Sequence, residues 1–263
     1  MRFASRRTLT TAALAASLVA GPFIAAPARA GDATSRTTYS VRFLGLPIAR
    51  AEFTTEIEGR TYRISGTARS AGLAEIFDSI RASTQVSGIV KQDRLQARDY
   101  LVSYTSGKKK SRTGVTFRNG DVTATSQEPK EKKHGDDWVA LSGADLRDVL
   151  DPVSGLIVPT GTPVCPRTIA VFDGETRADI ELSPTGRQPF STNGFKGEAI
   201  ACSVRFVPKA GYRRNNSSIK YLKAASMEVW FARSPSADVF APVYARVPTK
   251  IGSVTVWATR FGG

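Results

Sequence analysis

The chain has 263 residues, with 37 Lys and Arg against 23 Asp and Glu and a formal net charge of +14 at pH 7. Two cysteines and one histidine are too few for a usual structural zinc set. Beyond the first thirty residues, no run approaches the roughly 18 consecutive apolar residues of a membrane-spanning helix.

Those first thirty residues read as an export signal. "MRFASRR" carries Arg2, Arg6 and Arg7 without an acid, an apolar run follows from Leu9 to Ala20, and Ala28-Arg29-Ala30 forms an A-x-A cleavage signature. "SRRTLT" (5–10) also matches part of a twin-arginine motif, so the general secretory and twin-arginine routes are both open. Cleavage after Ala30 leaves 233 residues and removes four arginines and no acid, which lowers the net charge to +10. Residues 31–263 suit a single all-β domain. The positive excess clusters at 107–112, 130–134 and 212–216. Outside the cytosol its anionic counterparts are phospholipid or lipopolysaccharide headgroups or peptidoglycan carboxylates, and no nucleic acid is expected.

Period-two alternation dominates the rest. In 62–68, Tyr62, Ile64 and Ala68 share one face and Arg63, Ser65 and Thr67 the other. In 199–207, Ile200, Cys202, Val204 and Phe206 alternate with Ala201, Ser203 and Arg205. Both read as half-buried antiparallel strands. Similar strands are expected at 39–44, 48–57, 84–91, 95–105, 112–118, 121–126, 168–173, 177–182, 227–233 and 252–260. Turns fall at 58–60, 118–121 and 172–175, where Asn-Gly and Asp-Gly accept the positive φ of tight hairpins. The expected fold is mainly β, a strongly curved antiparallel sheet or open barrel with one or two short helices.

Leu73, Ile76, Phe77 and Ile80 form an i, i+3, i+4, i+7 stripe, a helix suited to the concave face of the sheet. Ser142, Asp145 and Pro152 mark the cap and stop of a second helix. Residues 127–137 are charged and read as a loop between the two halves. In the last strands, Val254, Val256 and Ala258 alternate with Trp257 and Phe261, and Met227, Val229 and Phe231 with Trp230. Both faces there are apolar, so they must be covered on both sides or offered to a ligand.

Candidate chemistry is sparse. His134 lies among lysines in the charged loop, with no third group in the sequence to position it as a base. Ser-x-x-Lys occurs at Ser106–Lys109 and Ser217–Lys220, but neither segment reads as helical and the companion motifs of that enzyme class are missing. Cys165 and Cys202, an even count in an exported chain, read as one disulfide closing a 38-residue loop. Cys165 as a free nucleophile would have only Arg167 to lower its pKa.

The stretch "CPRTIAVFDGETRADIEL" (165–182) raises a further alternative. Asp173, Glu175 and Asp179 could form a glycosidase-like pair, which needs carboxylates facing each other across a cleft. Asp173, however, precedes Gly174 at a turn, where its side chain can bond its own backbone. Asp179 alternates with apolar residues and can pair with Arg177 or a cross-strand partner. The stretch therefore reads as a cross-linked hairpin.

That stretch, with "AIACSVRFVPKAGYR" after it and "LRDVLDPVSGL" before it, resembles the family catalogued as domain of unknown function 3108, over about residues 38 to 260. The matching positions are Val171, Phe172, Asp173, Gly174, Arg177 and Asp179, then Cys202, Val204, Phe206, Pro208, Gly211, Tyr212 and Arg213. Ala178 departs from the pattern, in which an aromatic is expected. The resemblance implies a protein exported to the periplasm of a Gram-negative bacterium and brings no catalytic, cofactor or metal residues with it. The expected role is non-enzymatic binding of an anionic lipid, a lipoprotein or another envelope component. An Asp/Glu hydrolase of envelope polymers and a scaffolding partner are the alternatives, and the shape of the interior discriminates among the three.

Overall fold

The computed structural model describes residues 32–72, 79–130 and 134–263. Alternation in the first half produces a meander of seven antiparallel strands. These are β1 (Ala33–Phe43), β2 (Leu46–Glu58), β3 (Thr61–Ser70), β4 (Ile80–Val90), β5 (Leu95–Ser106), β6 (Lys109–Arg118) and β7 (Asp121–Glu128). A two-residue β8 (Trp138–Val139) and β9 (Val158–Pro159) precede the second half. That half comprises β10 (Arg167–Phe172), β11 (Arg177–Thr192), β12 (Phe195–Ala210), the short β13 (Tyr212–Arg213), β14 (Met227–Arg233), β15 (Val239–Thr249) and β16 (Gly252–Phe261).

The last strand returns to pair with the first, from Thr37 opposite Phe261 to Phe43 opposite Val254. One large sheet results, in the order β10-β11-β12-β14-β15-β16-β1-β2-β3-β4-β5-β6-β7, while β8 and β13 pair separately. Bulges in several pairs, such as those beside Val41 and Pro184, strengthen its curl.

The sheet is not closed into a barrel, because the edges β7 and β10 do not pair with each other. Residues 146–150 span the gap as a strap. Val122 N donates to Leu146 O and Val149 N to Gly120 O on one side; Leu150 pairs in parallel with Val171 on the other.

Three buried clusters follow from this curl. Tyr62, Ile64, Val86, Tyr100, Val115 and Phe172 fill the first half. Leu150, Ile169, Leu182, Cys202, Val229 and Phe231 fill the second. Phe190, Ala232, Val243, Ala258 and Phe261 form a third with Trp230 and Trp257. Val229 and Phe231 belong to one cluster and Trp230 and Ala232 to another, so β14 is buried on both faces, as its alternation requires. The second face is covered by the far end of the β11–β12 hairpin. Phe190 packs on Trp257 at 4.9 Å between ring centroids and Phe195 on Phe261 at 5.4 Å, while Phe261 N donates to Asn193 O.

The helices differ from expectation. Residues 73–78 of the first stripe lie outside the described residues, and Ile80 opens β4. No helix forms at 142–152. Ser142 and Asp145 make the capping contacts, with Asp145 Oδ2 accepting from Ser142 N at 2.9 Å, but the chain makes only a turn there. Helix nucleation is costly, and the bonds of Leu146, Val149 and Leu150 to the two sheet edges hold this segment in turns and a single bridge instead. A helix absent from the sequence reading, α1 (Ser217–Ala224), starts after Asn216, whose Oδ1 accepts from Ser218 N and Ile219 N. It buries no residue, so its periodicity was faint. β15 is likewise faint in the sequence because Pro242 and Pro248 argue against a central strand; a bulge opposite Trp230 and Phe231 accommodates Pro242. Strand β7 runs to Glu128, so the charged loop starts two residues later than its composition suggested.

Candidate functional site: an apolar cavity and a motif seam

The concave face holds a half-open apolar cavity of about 280 Å³. One wall is built by β1 and β2, where Thr37 stands opposite Phe53 and Tyr39 opposite Ala51. The facing wall includes Val229, Ala245 and Val256 of β14–β16. Period-two alternation points these residues inward, and the small side chains at 51 and 245 leave the space open. The roof is Pro152, Val153, Leu156 and Ile157, from the segment that follows the strap.

Hydrogen bonds fix that roof. Asp151 Oδ1 accepts from Val153 N and Ser154 N, both at 2.9 Å, and starts a single 3-10 turn at Ser154–Leu156. The Ser154 hydroxyl and the Tyr62 hydroxyl lie 2.7 Å apart, tying the roof to β3. Burial pushes the Asp151 carboxyl above the ordinary carboxylate range, and its Oδ2 has no partner, which favours the protonated acid. Burial likewise pushes the Tyr62 and Tyr39 hydroxyls far above the ordinary phenol value.

The polar groups around the cavity are largely engaged with the protein. Tyr39 OH donates to Pro242 O at 2.7 Å, and the Ser35 and Ser234 hydroxyls lie 2.9 Å apart. Among the described residues, no Asp, Glu, Lys or Arg lines the space. Such a cavity can take an apolar chain by burial.

The family-motif residues assemble elsewhere, at the seam. Phe172 is buried in the first-half core. Asp173 Oδ1 accepts from Glu175 N at 2.9 Å and Thr176 N at 2.7 Å, the turn-forming role its neighbour Gly174 suggested. Gly174 has φ +106°, and a Cβ there would overlap Thr113 Cγ2 of β6; Gln127 Nε2 of β7 donates to Gly174 O at 3.2 Å. Gly211, at φ +75°, lies so close to Glu175 O that a Cβ would overlap it, and Thr176 Oγ1 donates to Gly211 O. The two motif elements therefore touch each other, and the first latches the β10–β11 end of the sheet to β6 and β7.

Asp179 sits between Arg177 (2.7 Å) and Lys209 (3.0 Å). Burial pushes its carboxyl up, but the contacts with Lys209 and Arg177 outweigh this and hold it below the ordinary range. Asp173 and Asp179 are thus engaged separately, one in a turn and one in ion pairs. Cys165 and Cys202 form the disulfide, with Cys202 fully buried.

His134 stacks on Trp138, with 3.6 Å between ring centroids. Contrary to expectation, Ser217 and Lys220 do share a helical turn. Lys220 Nζ donates to Asn215 Oδ1, and the helix lies on the surface. The cavity is faint in the sequence because its roof and one wall come from proline-flanked segments. The signal present is the apolar run Leu156-Ile157-Val158 a turn after Asp151, a residue type that readily caps its own backbone.

These features define the class: a mainly β protein whose large, curled antiparallel sheet holds an apolar cavity and is latched rather than closed. The chain belongs to the family described as protein of unknown function DUF3108, whose profile matches residues 38–259. No curated protein matches it. Among solved structures, it is similar to a β-barrel-like protein of domain of unknown function DUF1849 from Brucella abortus. The two share 10% identity over 89% of this chain and 98% of that chain, with a TM-score of 0.47. No helix among the described residues is long and apolar enough to cross a membrane.

Proposed function

We propose that this is a periplasmic envelope protein, exported by its N-terminal signal, which binds the acyl chain of a lipid or of a lipid-modified envelope protein without altering it chemically. The cavity carries the reading. Protein interiors are packed with few voids larger than a water molecule, and an apolar space of about 280 Å³ lies close to the lower end of ligand-pocket sizes, roughly 300 Å³. Affinity would come from burial, at about 25 cal/mol per Å² of apolar surface. The charge of +10 on residues 31–263 would favour ligands with an anionic head. Binding is favoured over hydrolysis because Asp173 serves a turn and Asp179 an ion-pair cluster.

Native mass spectrometry of the protein purified from the periplasm tests this. The expected result is an adduct that dissociates with the mass of an acyl lipid or lipopeptide. Bare protein that also fails to take up an added fatty acid would count against the reading. N-terminal sequencing of the same sample should begin at Gly31; an intact Met1 would contradict export with cleavage.

A further inference from the structure

The large hydrophobic side chains that stand exposed among the described residues all lie at one end of the sheet. Leu44 (64% exposed) and Leu46 (61%) sit on the β1–β2 turn, Ile251 (77%) on the β15–β16 turn, and Tyr104 (39%) near the end of β5. The register makes the two turns neighbours. Phe43 stands opposite Val254, Leu44 N donates to Ser253 O, and the Leu44 side chain lies over Gly252.

The same end is basic. Arg50, Arg69 and Arg81 stand directly abreast on β2, β3 and β4, and all three are exposed. Like charges directly opposite one another weaken a sheet, yet no carboxylate among the described residues pairs with any of them. Arg42 and Lys250 flank the two turns, and Lys109 and Lys110 open β6 at the same end. Of the acids toward this end among the described residues, Glu52 pairs with Arg36, Glu228 pairs with Arg246, and Glu128 stands opposite Arg112.

An apolar track leads inward from these turns. Val41 and Phe43 on β1 face the same way as Tyr39, beside Val256 and Val254 on β16, and Tyr39 and Val256 line the cavity.

We propose that this end is a docking face for an anionic bilayer. Leu44, Leu46 and Ile251 would enter the boundary between headgroups and acyl chains, and the arginines and lysines would meet lipid phosphates. The arginine row argues for a membrane over a second copy, since face-to-face copies would bring like charges together. The inference deepens the acyl-binding reading by giving the ligand a source, but docking and cavity binding fail separately.

The test is co-sedimentation with vesicles of phosphatidylglycerol and phosphatidylethanolamine, and with vesicles of phosphatidylcholine alone. The wild type should bind the anionic vesicles more tightly, and lose affinity in salt as the Debye length falls from ~10 Å at 0.1 M to ~3 Å at 1 M. The double variant Leu44→Asp/Ile251→Asp should lose at least about tenfold in affinity while still taking up a fluorescent fatty acid. Filling the cavity with Ala51→Phe/Ala245→Phe should do the reverse. In Leu44→Trp, added anionic vesicles should blue-shift the emission beyond the wild-type change. Equal binding to both vesicle types, wild-type binding by the Asp variant, or no added shift in Leu44→Trp would overturn the proposal. A dimer that the Asp substitutions dissolve without affecting vesicle binding would overturn it in favour of self-association.

Discussion

The two halves of the sheet meet water differently. In β2–β4 the concave face is buried through Tyr62, Ile64 and Val86, while the convex face carries Arg50, Arg63, Arg69 and Arg81 in the open. In β14–β16 both faces are covered, one by the core around Phe231 and the other by the aromatic end of the β11–β12 hairpin. A one-layer half has a free surface available for recognition. A two-layer half holds more apolar burial per strand, and it also carries the disulfide. Stability should therefore concentrate in the second half and surface recognition in the first.

Substitutions can break this contrast, starting with the most severe. Phe231→Ala removes a fully buried ring from the two-layer half and should cost about 3–5 kcal/mol in urea unfolding. A cost below 1 kcal/mol would mean that the second layer adds little. Replacing Cys165 and Cys202 together with Ser opens the 38-residue loop and should cost about 2–4 kcal/mol. Reducing the wild type should lower its Tm to the same degree, and thiol titration of the unreduced, unfolded protein should find no free thiol.

Gly174→Ala tests the latch between the halves. The positive φ and the overlap with Thr113 should together cost about 1–3 kcal/mol, with hydrogen exchange rising first in β7 and β10. Protection lost uniformly across the sheet would argue that the seam is not a separate element.

The smallest expected effect comes from the pH dependence of two acids. Burial raises the folded-state pKa of Asp151, so above the ordinary carboxylate value the folded state keeps a proton that the unfolded state has released. Stability from this group is therefore full at low pH and lost as pH rises through that window. Asp151→Asn keeps an acceptor for Val153 N and Ser154 N without the ionisable group. Its Tm should exceed the wild type at neutral pH by roughly 2–4 °C, the size of a 1 kcal/mol effect in such a domain, and the advantage should vanish near pH 3. Asp179 has the opposite sign. Its folded pKa is lowered, so its contribution is present above the ordinary value and disappears as pH falls below it.

The same contrast governs what could be read from the chain. Strands β2–β6, with one polar and one apolar face, announce themselves by alternation, and Asn119-Gly120 and the turn at Asp173-Gly174 fix their hairpins or latch in recognisable residues. The pairing of two cysteines in an exported chain needed no structure. The two-layer half was only partly legible. Apolar residues on both faces of β14 and β16 signalled double coverage, but the covering element is the extension of β11 and β12 past Pro184 and Pro189, where prolines and glycines mask the strands. The cavity roof was hidden for a related reason. Residues 142–152 carry the local marks of a helix, and bonds to Gly120, Val122 and Val171, remote in sequence, decide their conformation.

The most direct test of acyl-chain binding is a titration of a fluorescent fatty acid into the delipidated protein, run beside Ala51→Phe/Ala245→Phe. The wild type should bind one probe saturably, and the filled variant, folded with an unchanged Tm, should bind at least about tenfold more weakly. A wild type that takes up no probe, or a filled variant that binds as the wild type does, would contradict a ligand-binding role for the cavity.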